Sequence, residues 1–173
     1  MTAEEAYNLL TKGGAEDFAR VMELCEKHAP YCLIGGLAVN CFVEPVYTLD
    51  ADIVIVAEKK AAFEEALRTA GFAVEVFEHS VNAKFPKSDL RIQCTTDIRY
   101  KDFPLRATKK TVFGKQVLVA ALPDLVQGKV WAYSDPMRRL TKRKKDELDL
   151  LRIGEAYPEI RSSLPIEIQR QLS

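Results

Sequence analysis

The chain has 173 residues, 47% of them hydrophobic and 29% charged, which is the composition of a globular domain and not of a disordered or fibrous protein. No apolar stretch approaches the roughly 20 residues that a membrane-spanning helix needs, so a membrane-embedded domain is excluded. The net charge is zero, but residues 1 to 98 carry 9 basic and 16 acidic side chains, whereas residues 99 to 145 carry 13 basic and 3 acidic ones. This division suits an anionic ligand held between carboxylates and cations, or it reflects a solvated basic face.

The first predicted elements are two helices within residues 1–30. The first covers residues 3–12, and glycines separate it from the second. The second helix places apolar side chains at i, i+3, i+4 and i+7, which predicts a face buried in the core: Phe18, Val21, Met22 and Cys25.

A sheet core is predicted over residues 31–121, followed by helices over residues 122–173. The predicted strands are residues 31–34, 48–56, 72–79 and 88–97, followed by a hairpin or an irregular β segment over 111–122 that turns at Gly114. The intervening helices are 37–42 and 61–71. The later helices are 123–133, 137–153 and a weaker one from 155 onward. Strands that alternate with helices, and then helices alone, predict an α+β (α/β) fold in one domain over residues 1–173: a mixed β-sheet flanked by helices, with a helical carboxy-terminal cap.

Two acids one residue apart open the strand "TLDADIVIV". Side chains alternate faces along a strand, so Asp50 and Asp52 point the same way, roughly 6.5 Å apart. Two bare carboxylates so close repel each other, and a divalent cation between them removes that cost, because Mg²⁺ prefers oxygen ligands. The pattern therefore predicts a metal site, with a solvated acid pair as the alternative.

Two glycines precede these acids, at the junction of a strand and a helix. Gly35 and Gly36 would let backbone amides approach a ligand closely, and a helix amino terminus is suited to phosphate. A glycine turn followed by a same-face acid pair is more specific than either feature alone. It predicts a metal held against a nucleotide whose phosphates lie on the glycines.

"GG" at residues 35–36 and "TLDADIVIV" together resemble the signature of the nucleotidyltransferase fold of the DNA polymerase beta type. The resemblance is closest to small minimal nucleotidyltransferases and to the nucleotidyltransferase-like proteins of abortive-infection toxin–antitoxin systems, and it extends from about Tyr31 to Ile153. It implies transfer of NMP from an NTP to a hydroxyl of a protein, RNA or small molecule, with Mg²⁺ or Mn²⁺ as cofactor. The resemblance further implies catalytic, metal-binding Asp50 and Asp52, and a nucleotide site at Gly35, Gly36, Thr48 and Lys129.

The third carboxylate of that family is replaced in this chain. Its position matches Gln93, whose amide oxygen can touch a metal but brings no charge. Asp89 and Asp97 are each four residues away, roughly 13 Å along a strand. Gln93 is therefore the third candidate catalytic residue, and the two aspartates of "DAD" could hold nucleotide and one metal without it.

Charged residues on the later helices complete the predicted site. Lys129 falls within an apolar stripe, where a lysine is expected to be paired or to extend its ammonium to solvent. In "KRKKDELDLL" the base precedes the acid in each i, i+4 pair, the weaker orientation, so helix stability does not explain the arrangement. The resemblance implies that Lys145, Asp146 and Asp149 support the site instead of reacting. Tyr47 could pack against a base or fill the core, and the core is the favoured expectation.

The sequence leaves other functions open. A catalytically weakened member could bind nucleotide or a partner protein, for instance as half of a toxin–antitoxin pair. A glycosyltransferase or phosphohydrolase is disfavoured, because its acids usually follow an apolar strand, whereas here the apolar run follows the acids. The expected partners are an NTP and a protein or RNA acceptor, with no membrane. The four cysteines lack metal or disulfide spacing, which together with the acidic amino terminus predicts a cytoplasmic protein.

Overall fold

The fold, seen in a computed structural model that describes residues 1–173, is a seven-stranded mixed β-sheet flanked by helices. The strands are β1 (Tyr31–Ile34), β2 (Asp50–Ile55), β3 (Ala73–Phe77), β4 (Ser80–Lys84), β5 (Arg91–Thr95), β6 (Thr108–Val112) and β7 (Lys115–Val119). The α-helices are α1 (Ala3–Thr11), α2 (Gly14–Lys27), α3 (Gly35–Val39), α4 (Lys60–Thr69), α5 (Phe103–Arg106), α6 (Leu122–Ser134), α7 (Leu140–Ala156) and α8 (Ile166–Gln171). The predicted α+β class with its helical carboxy-terminal part is confirmed.

The order of strands across the sheet is β3-β4-β5-β2-β1-β7-β6. Strand β2 runs parallel to β5 and β1 runs parallel to β7, whereas every other neighbouring pair is antiparallel. The central strand β2 thus has β1 on one side and β5 on the other. Residues from both neighbours consequently lie beside the acid pair at its start.

The two faces of the sheet differ in chemistry. One face is apolar across the central strands and is buried in a cluster that also contains the α2 and α4 stripes: Leu33, Ala51, Ile53, Ile92, Cys94, Val81 and Ala83. The opposite face carries polar side chains at the start of β2 and along β5 and β4: Asp50, Asp52, Arg91, Gln93, Asn82 and Ser80. Because side chains alternate on a strand, an apolar core on one face leaves these residues together on the other.

Local chemistry explains where the first helices begin and end. Thr2 and Glu5 form a reciprocal capping box at the start of α1, with Thr2 Oγ1 accepting from the Glu5 amide at 3.1 Å. The chain then turns through Lys12 and Gly13, which both have positive φ. The predicted apolar stripe of α2 is confirmed, since its four members are at most 2% exposed.

The sequence did not predict β4 or the helical segment before β6. The stretch "SVNAK" pairs with both β3 and β5, and its alternation of small apolar and polar residues is a weak strand signal. The short helix α5 is anchored by Phe103, which is 4% exposed. Both segments contribute walls to a cavity next to the acid pair.

The last three helices pack around a second, smaller apolar cluster. Its six buried members are Val39, Val126, Leu150, Ile153, Leu164 and Ile168. Val39 belongs to α3, so this cluster ties the carboxy-terminal helices to the turn that follows β1. None of the helices combines the length and the apolar character needed to cross a bilayer.

Candidate active site

The glycine turn lies directly on Asp52. Gly35 has φ of +72°, and a Cβ placed there would be 2.2 Å from Asp52 Oδ2. A Cβ at Gly36 would come no closer than 3.6 Å to Thr48, an ordinary contact. Helix α3 has only five residues, too short to supply much of the dipole expected from the sequence. The turn therefore offers a close backbone approach to a carboxylate.

This geometry predicts different outcomes for alanine at the two glycines. Gly35→Ala should lower the free energy of unfolding by about 2 kcal/mol or more, because left-handed backbone costs about 1–2 kcal/mol for an L-residue and the methyl group also collides with Asp52. Gly36→Ala is the matched control and should change stability by less than about 1 kcal/mol. Urea denaturation of both variants measures the difference. Equal stabilities would contradict the close contact between Gly35 and Asp52.

The two aspartates of β2 share a face, but their environments differ. Asp50 is 8% exposed, and both of its oxygens are occupied. Arg91 Nε donates to Oδ1 at 2.6 Å, and Lys142 Nζ donates to Oδ2 at 2.6 Å. Burial alone would raise the pKa of Asp50, but the hydrogen bonds from Arg91 and Lys142 outweigh it and hold the pKa below its usual range. Asp50 is therefore a carboxylate already neutralised by the chain.

Asp52 has no such partner. Its carboxylate makes no hydrogen bond or ion pair within the protein, and burial raises its pKa to about 6. The charge of Asp50 adds to this increase, whereas Lys129 and Lys142 oppose it. At neutral pH Asp52 is thus a largely ionised, half-buried carboxylate with no cation in contact.

Gln93 lies beside Asp52, because the two residues are partners in the parallel register of β2 and β5. The same register places Arg91 beside Asp50. The other acids near β5 do not take the position of Gln93: Asp89 pairs with Lys12 at 3.1 Å, and Asp97 pairs with Arg99 at 2.7 Å. The residue next to Asp52 is therefore an amide.

The oxygen donors at this point fit one divalent cation. Asp52 is unpaired, Gln93 offers an amide oxygen beside it, and Asp50 faces the same cavity with Lys142 in place of a metal. No group of three or more His, Cys, Asp or Glu side chains is arranged to hold a metal ion. A second divalent cation, which needs further carboxylates, does not fit this donor set.

Lys129 is held by two buried carboxylates. Its ammonium lies 3.0 Å from Asp146 Oδ1 and 2.7 Å from Asp149 Oδ2, and the lysine side chain is 12% exposed. Arg138 also bonds Asp146, and Arg152 bonds Asp149 at 2.7 Å. Burial alone would lower the pKa of Lys129, but the effect of the two aspartates is larger, and the pKa is raised. The expectation of a paired lysine is thus met by an acid–base network between α6 and α7.

The sequence places basic residues four positions before acidic ones on α7, but none of these i, i+4 ion pairs is formed. Lys142 reaches Asp50 instead of Asp146, and the exposed Lys145 makes no ion pair and lines a cavity with Asp149. Arg91, Arg138 and Lys142 are site residues that the sequence did not reveal. The base-first spacing on α7 was the only signal for Lys142. The expectation that Tyr47 fills the core was wrong, because its side chain is 52% exposed.

Two cavities meet at Asp52 and Gln93. The α3–α7 cavity, of about 340 Å³, is lined by Gly36, Tyr47, Thr48, Asp50, Lys142 and Lys145, among others. The β4–β5 cavity, of about 390 Å³, is lined by Gly35, Ser80, Asn82, Tyr100, Phe103 and Gly128, among others. Asp52, Gln93, Lys129, Arg138 and Asp146 border both. Asp52 and Gln93 are therefore accessible from both cavities.

No protein-family model matches the sequence, and no curated protein is significantly similar to it. Solved structures do match the fold. The crystal structure of ANT(2'')-Ia in complex with adenylyl-2''-tobramycin superimposes with a TM-score of 0.59 at 14% identity, covering 91% of this chain and 98% of that one. The lincosamide antibiotic adenylyltransferase LnuA, bound to lincomycin, gives 0.53 at 12% identity, covering 79% and 94%.

A nucleotidyltransferase-like antigenic protein from Paracoccidioides brasiliensis gives a TM-score of 0.54 at 16% identity, covering 92% of this chain and 84% of that one. The identities are too low to transfer an activity, but the matches span most of each chain. They agree with the resemblance carried by the Gly-Gly and Asp-x-Asp segments. The chain therefore has the nucleotidyltransferase fold.

Proposed function

We propose that this chain transfers NMP from an NTP to a hydroxyl of an acceptor. The observation that carries the proposal is the unpaired carboxylate of Asp52, which touches the glycine turn at the point where the two cavities meet. In the transfer, the acceptor oxygen forms a bond to the α-phosphorus and the bond to the β-phosphate oxygen breaks. Pyrophosphate leaves, and the hydroxyl proton passes to solvent or to a nearby base.

The α3–α7 cavity is the proposed nucleotide site. Gly36 and Thr48 line this cavity, so phosphates can come close to the backbone at Gly36. Gly35 holds the turn against Asp52, at the border with the β4–β5 cavity. Lys142 and Lys145 supply cations, with Lys145 free of any ion pair. These contacts would orient the α-phosphate toward Asp52 and offset the charge that develops on the leaving pyrophosphate.

Asp50, Asp52 and Gln93 are the proposed ligands of one Mg²⁺ or Mn²⁺. When bound, the cation would neutralise phosphate charge and polarise the α-phosphate. Lys142 contributes by leaving Asp50 for a phosphate oxygen, which frees one carboxylate oxygen without leaving either charge unpaired. Arg91 stays on the other oxygen and fixes the orientation of Asp50.

The neighbouring structures support a small-molecule acceptor. One holds adenylyl-2''-tobramycin and another is a lincomycin-bound adenylyltransferase, so this fold accommodates such acceptors. A protein or RNA hydroxyl is the other acceptor class that the proposed chemistry allows.

The experiment incubates the protein with each α-³²P-labelled NTP, Mg²⁺ or Mn²⁺, and candidate acceptors. Asp50→Asn and Asp52→Asn serve as blanks, and NTP binding is measured in parallel. Labelling of an acceptor by the wild-type protein, but by neither variant, supports the proposal. Label that survives both substitutions refutes it, and NTP binding without any transfer would instead favour a weakened member of the fold that binds nucleotide or a partner.

Restoring a carboxylate at position 93 should raise the rate. Gln93→Glu places a charge beside Asp52, and we expect transfer to increase at least about tenfold, equivalent to about 1.4 kcal/mol of transition-state stabilisation. Gln116→Glu is the matched control, because it makes the same amide-to-acid change at an exposed position of β7 that lines neither cavity. Steady-state rates with Mg²⁺ measure both variants. A rate for Gln93→Glu at or below wild type would show that the amide does not limit transfer.

A further inference from the structure

The β4–β5 cavity has a floor of uncharged polar side chains. Asn82 and Gln93 are partners in the register of β4 and β5, and Ser80 lies two residues from Asn82 on the same face. On the other face of these strands, Val81 and Ile92 are buried in the core. A polar row on a half-covered sheet face does not contribute to the apolar core, so its presence needs another explanation.

The groups of this row are free to bind a ligand. No hydrogen bond within the protein engages the side chains of Ser80, Asn82 or Gln93, although all three are half-buried. Together they offer the Asn82 amide, which is a donor and an acceptor, the NH₂ group of Gln93, whose oxygen is the proposed metal ligand, and the Ser80 hydroxyl. Half-buried amides without internal partners are expected to be satisfied by water or by a ligand.

The charged groups around the same cavity are already paired. Arg99 holds Asp97 at 2.7 Å, and Asp124 is held by a side chain outside the cavity, Arg106, at 2.8 Å. Lys129 and Arg138 both bond Asp146. Asp52 alone is unpaired, and it lies at the edge shared with the nucleotide site. Apart from Asp52, which is the proposed metal ligand, the cavity therefore presents hydrogen-bonding groups but no free charge to its ligand.

An aromatic wall faces the polar floor. Tyr100 and Phe103 line the cavity, with their ring centroids 5.1 Å apart. Gly128 lies inside α6, where glycine costs about 1 kcal/mol relative to alanine, and a Cβ there would be 3.2 Å from Tyr100 Cε1. The glycine thus allows the ring to lie against the helix. The volume of about 390 Å³ is within the range of small-molecule pockets.

We propose that the β4–β5 cavity binds the acceptor, and that the acceptor is a small uncharged ring compound with several hydroxyl groups. This inference rests on the proposed function. Amides and a hydroxyl on the floor pair with hydroxyl groups of the ligand, and Tyr100 packs on the apolar face of its ring. One ligand hydroxyl at the Gln93 end reaches the α-phosphorus beside Asp52. An RNA acceptor is not expected, because RNA binding needs free cations, and here they are engaged by acids.

The test varies the charge of the acceptor at nearly constant size. Methyl glucoside, glucosamine and glucose 6-phosphate form one set of probes, adenosine and AMP form another, and a protein and an RNA are included. Transfer from an α-³²P-labelled NTP is measured for each. The uncharged members should be labelled with kcat/KM at least about tenfold above their charged counterparts, since the only unpaired charge of the cavity, Asp52, is the proposed metal ligand and does not offset theirs. Preference for a charged probe, or label on protein or RNA alone, overturns the inference.

Variants of the floor locate the site. Asn82→Leu should raise KM for the uncharged probe at least about tenfold, because it removes both hydrogen bonds of the amide, and should leave the Kd of the α,β-methylene NTP analogue within about twofold. Gln116→Leu also replaces an amide by leucine, at an exposed position of β7 that lines neither cavity, and should alter neither value. Asn82→Ala gives the same comparison if leucine impairs folding. An unchanged KM in both Asn82 variants overturns the inference.

The two proposals fail differently. Pyrophosphate release from NTP without labelling of any small probe overturns the acceptor inference and leaves the nucleotide chemistry intact. If the wild-type protein binds no NTP, the proposed function is refuted.

Discussion

Asp52→Asn should remove transfer and leave the fold at least as stable. We expect kcat/KM to fall about 10³-fold or more, because the substitution deletes the one unpaired charge at the junction of the two cavities. Asparagine keeps the shape of the side chain. No cation loses a partner, since none contacts Asp52, so the melting temperature should be unchanged or higher. The measurements are steady-state transfer and thermal unfolding of the same preparation.

Asp50→Asn is the matched comparison. It makes the same chemical change two residues away, but it leaves Arg91 and Lys142 without their carboxylate. We expect this variant to lose both transfer and about 1–3 kcal/mol of stability, since a partly buried charge pair is broken on one side only. Equal losses of stability in the two variants would contradict the different environments of the two acids.

The pH dependence of stability separates the same two residues. The pKa of Asp52 is about 6 in the folded chain and about 3.8 in an unfolded one, so the folded state binds this proton more tightly. Its contribution to stability is therefore most unfavourable above pH 6 and improves as the pH falls from 6 toward 4. Asp50, with a lowered pKa, contributes in the opposite sense, and its stabilisation is lost only at more acidic pH. The stability difference between Asp52→Asn and wild type should thus shrink between pH 7 and pH 4.

Local periodicity was enough to predict the parts of the site that depend on one strand or one helix. Asp50 and Asp52 share a face because of the alternation of β2 alone, and the α2 stripe follows from helical spacing alone. Helical spacing also singled out Lys129 in an apolar stripe, where the sequence allowed either a partner or an ammonium extended to solvent, and the structure shows the partner. None of these inferences needed the arrangement of the other elements.

The partners of Asp50 depended on contacts between distant segments. Arg91 is 41 residues away and Lys142 is 92 residues away, and they meet Asp50 only through the parallel register of β5 and the docking of α7. A shift of β5 by one residue against β2 would move Arg91 and Gln93 to the apolar face of the sheet and bring their apolar neighbours to the polar face. No local sequence pattern fixes this register. For this reason the segment "DAD" did not predict that Asp50 would be paired with two cations and Asp52 with none.

The strand β4 was missed because its residues serve the cavity as well as the core. Val81 and Ala83 are buried, but Asn82 and Ser80 make the other face polar, and the run is short. A strand whose outer face is polar has a weaker apolar pattern than a strand buried on both faces. The difficulty of predicting β4 and the proposed acceptor site therefore have the same origin.

Lys129→Met should destabilise the fold more than any of the other substitutions. It removes the buried ammonium between Asp146 and Asp149 and should lower the free energy of unfolding by about 3–5 kcal/mol, because two carboxylates lose a shared partner. Lys115→Met is the matched control: its ion pair with Glu23 is exposed, and its loss should leave stability nearly unchanged. Urea denaturation without nucleotide measures both.

Nucleotide binding by the folded fraction of Lys129→Met then tests the second role expected for this lysine. Both oxygens of Asp146 are bonded by cations, and Lys129 has two carboxylates in contact, so its ammonium is not free to bind phosphate. We therefore expect the Kd for NTP to rise less than about threefold in this variant and at least about tenfold in Lys142→Met, whose cation is the one proposed to move to the phosphates. The reverse order would show that Lys129 leaves its aspartates when nucleotide binds. The network between α6 and α7 would then belong to the nucleotide site itself.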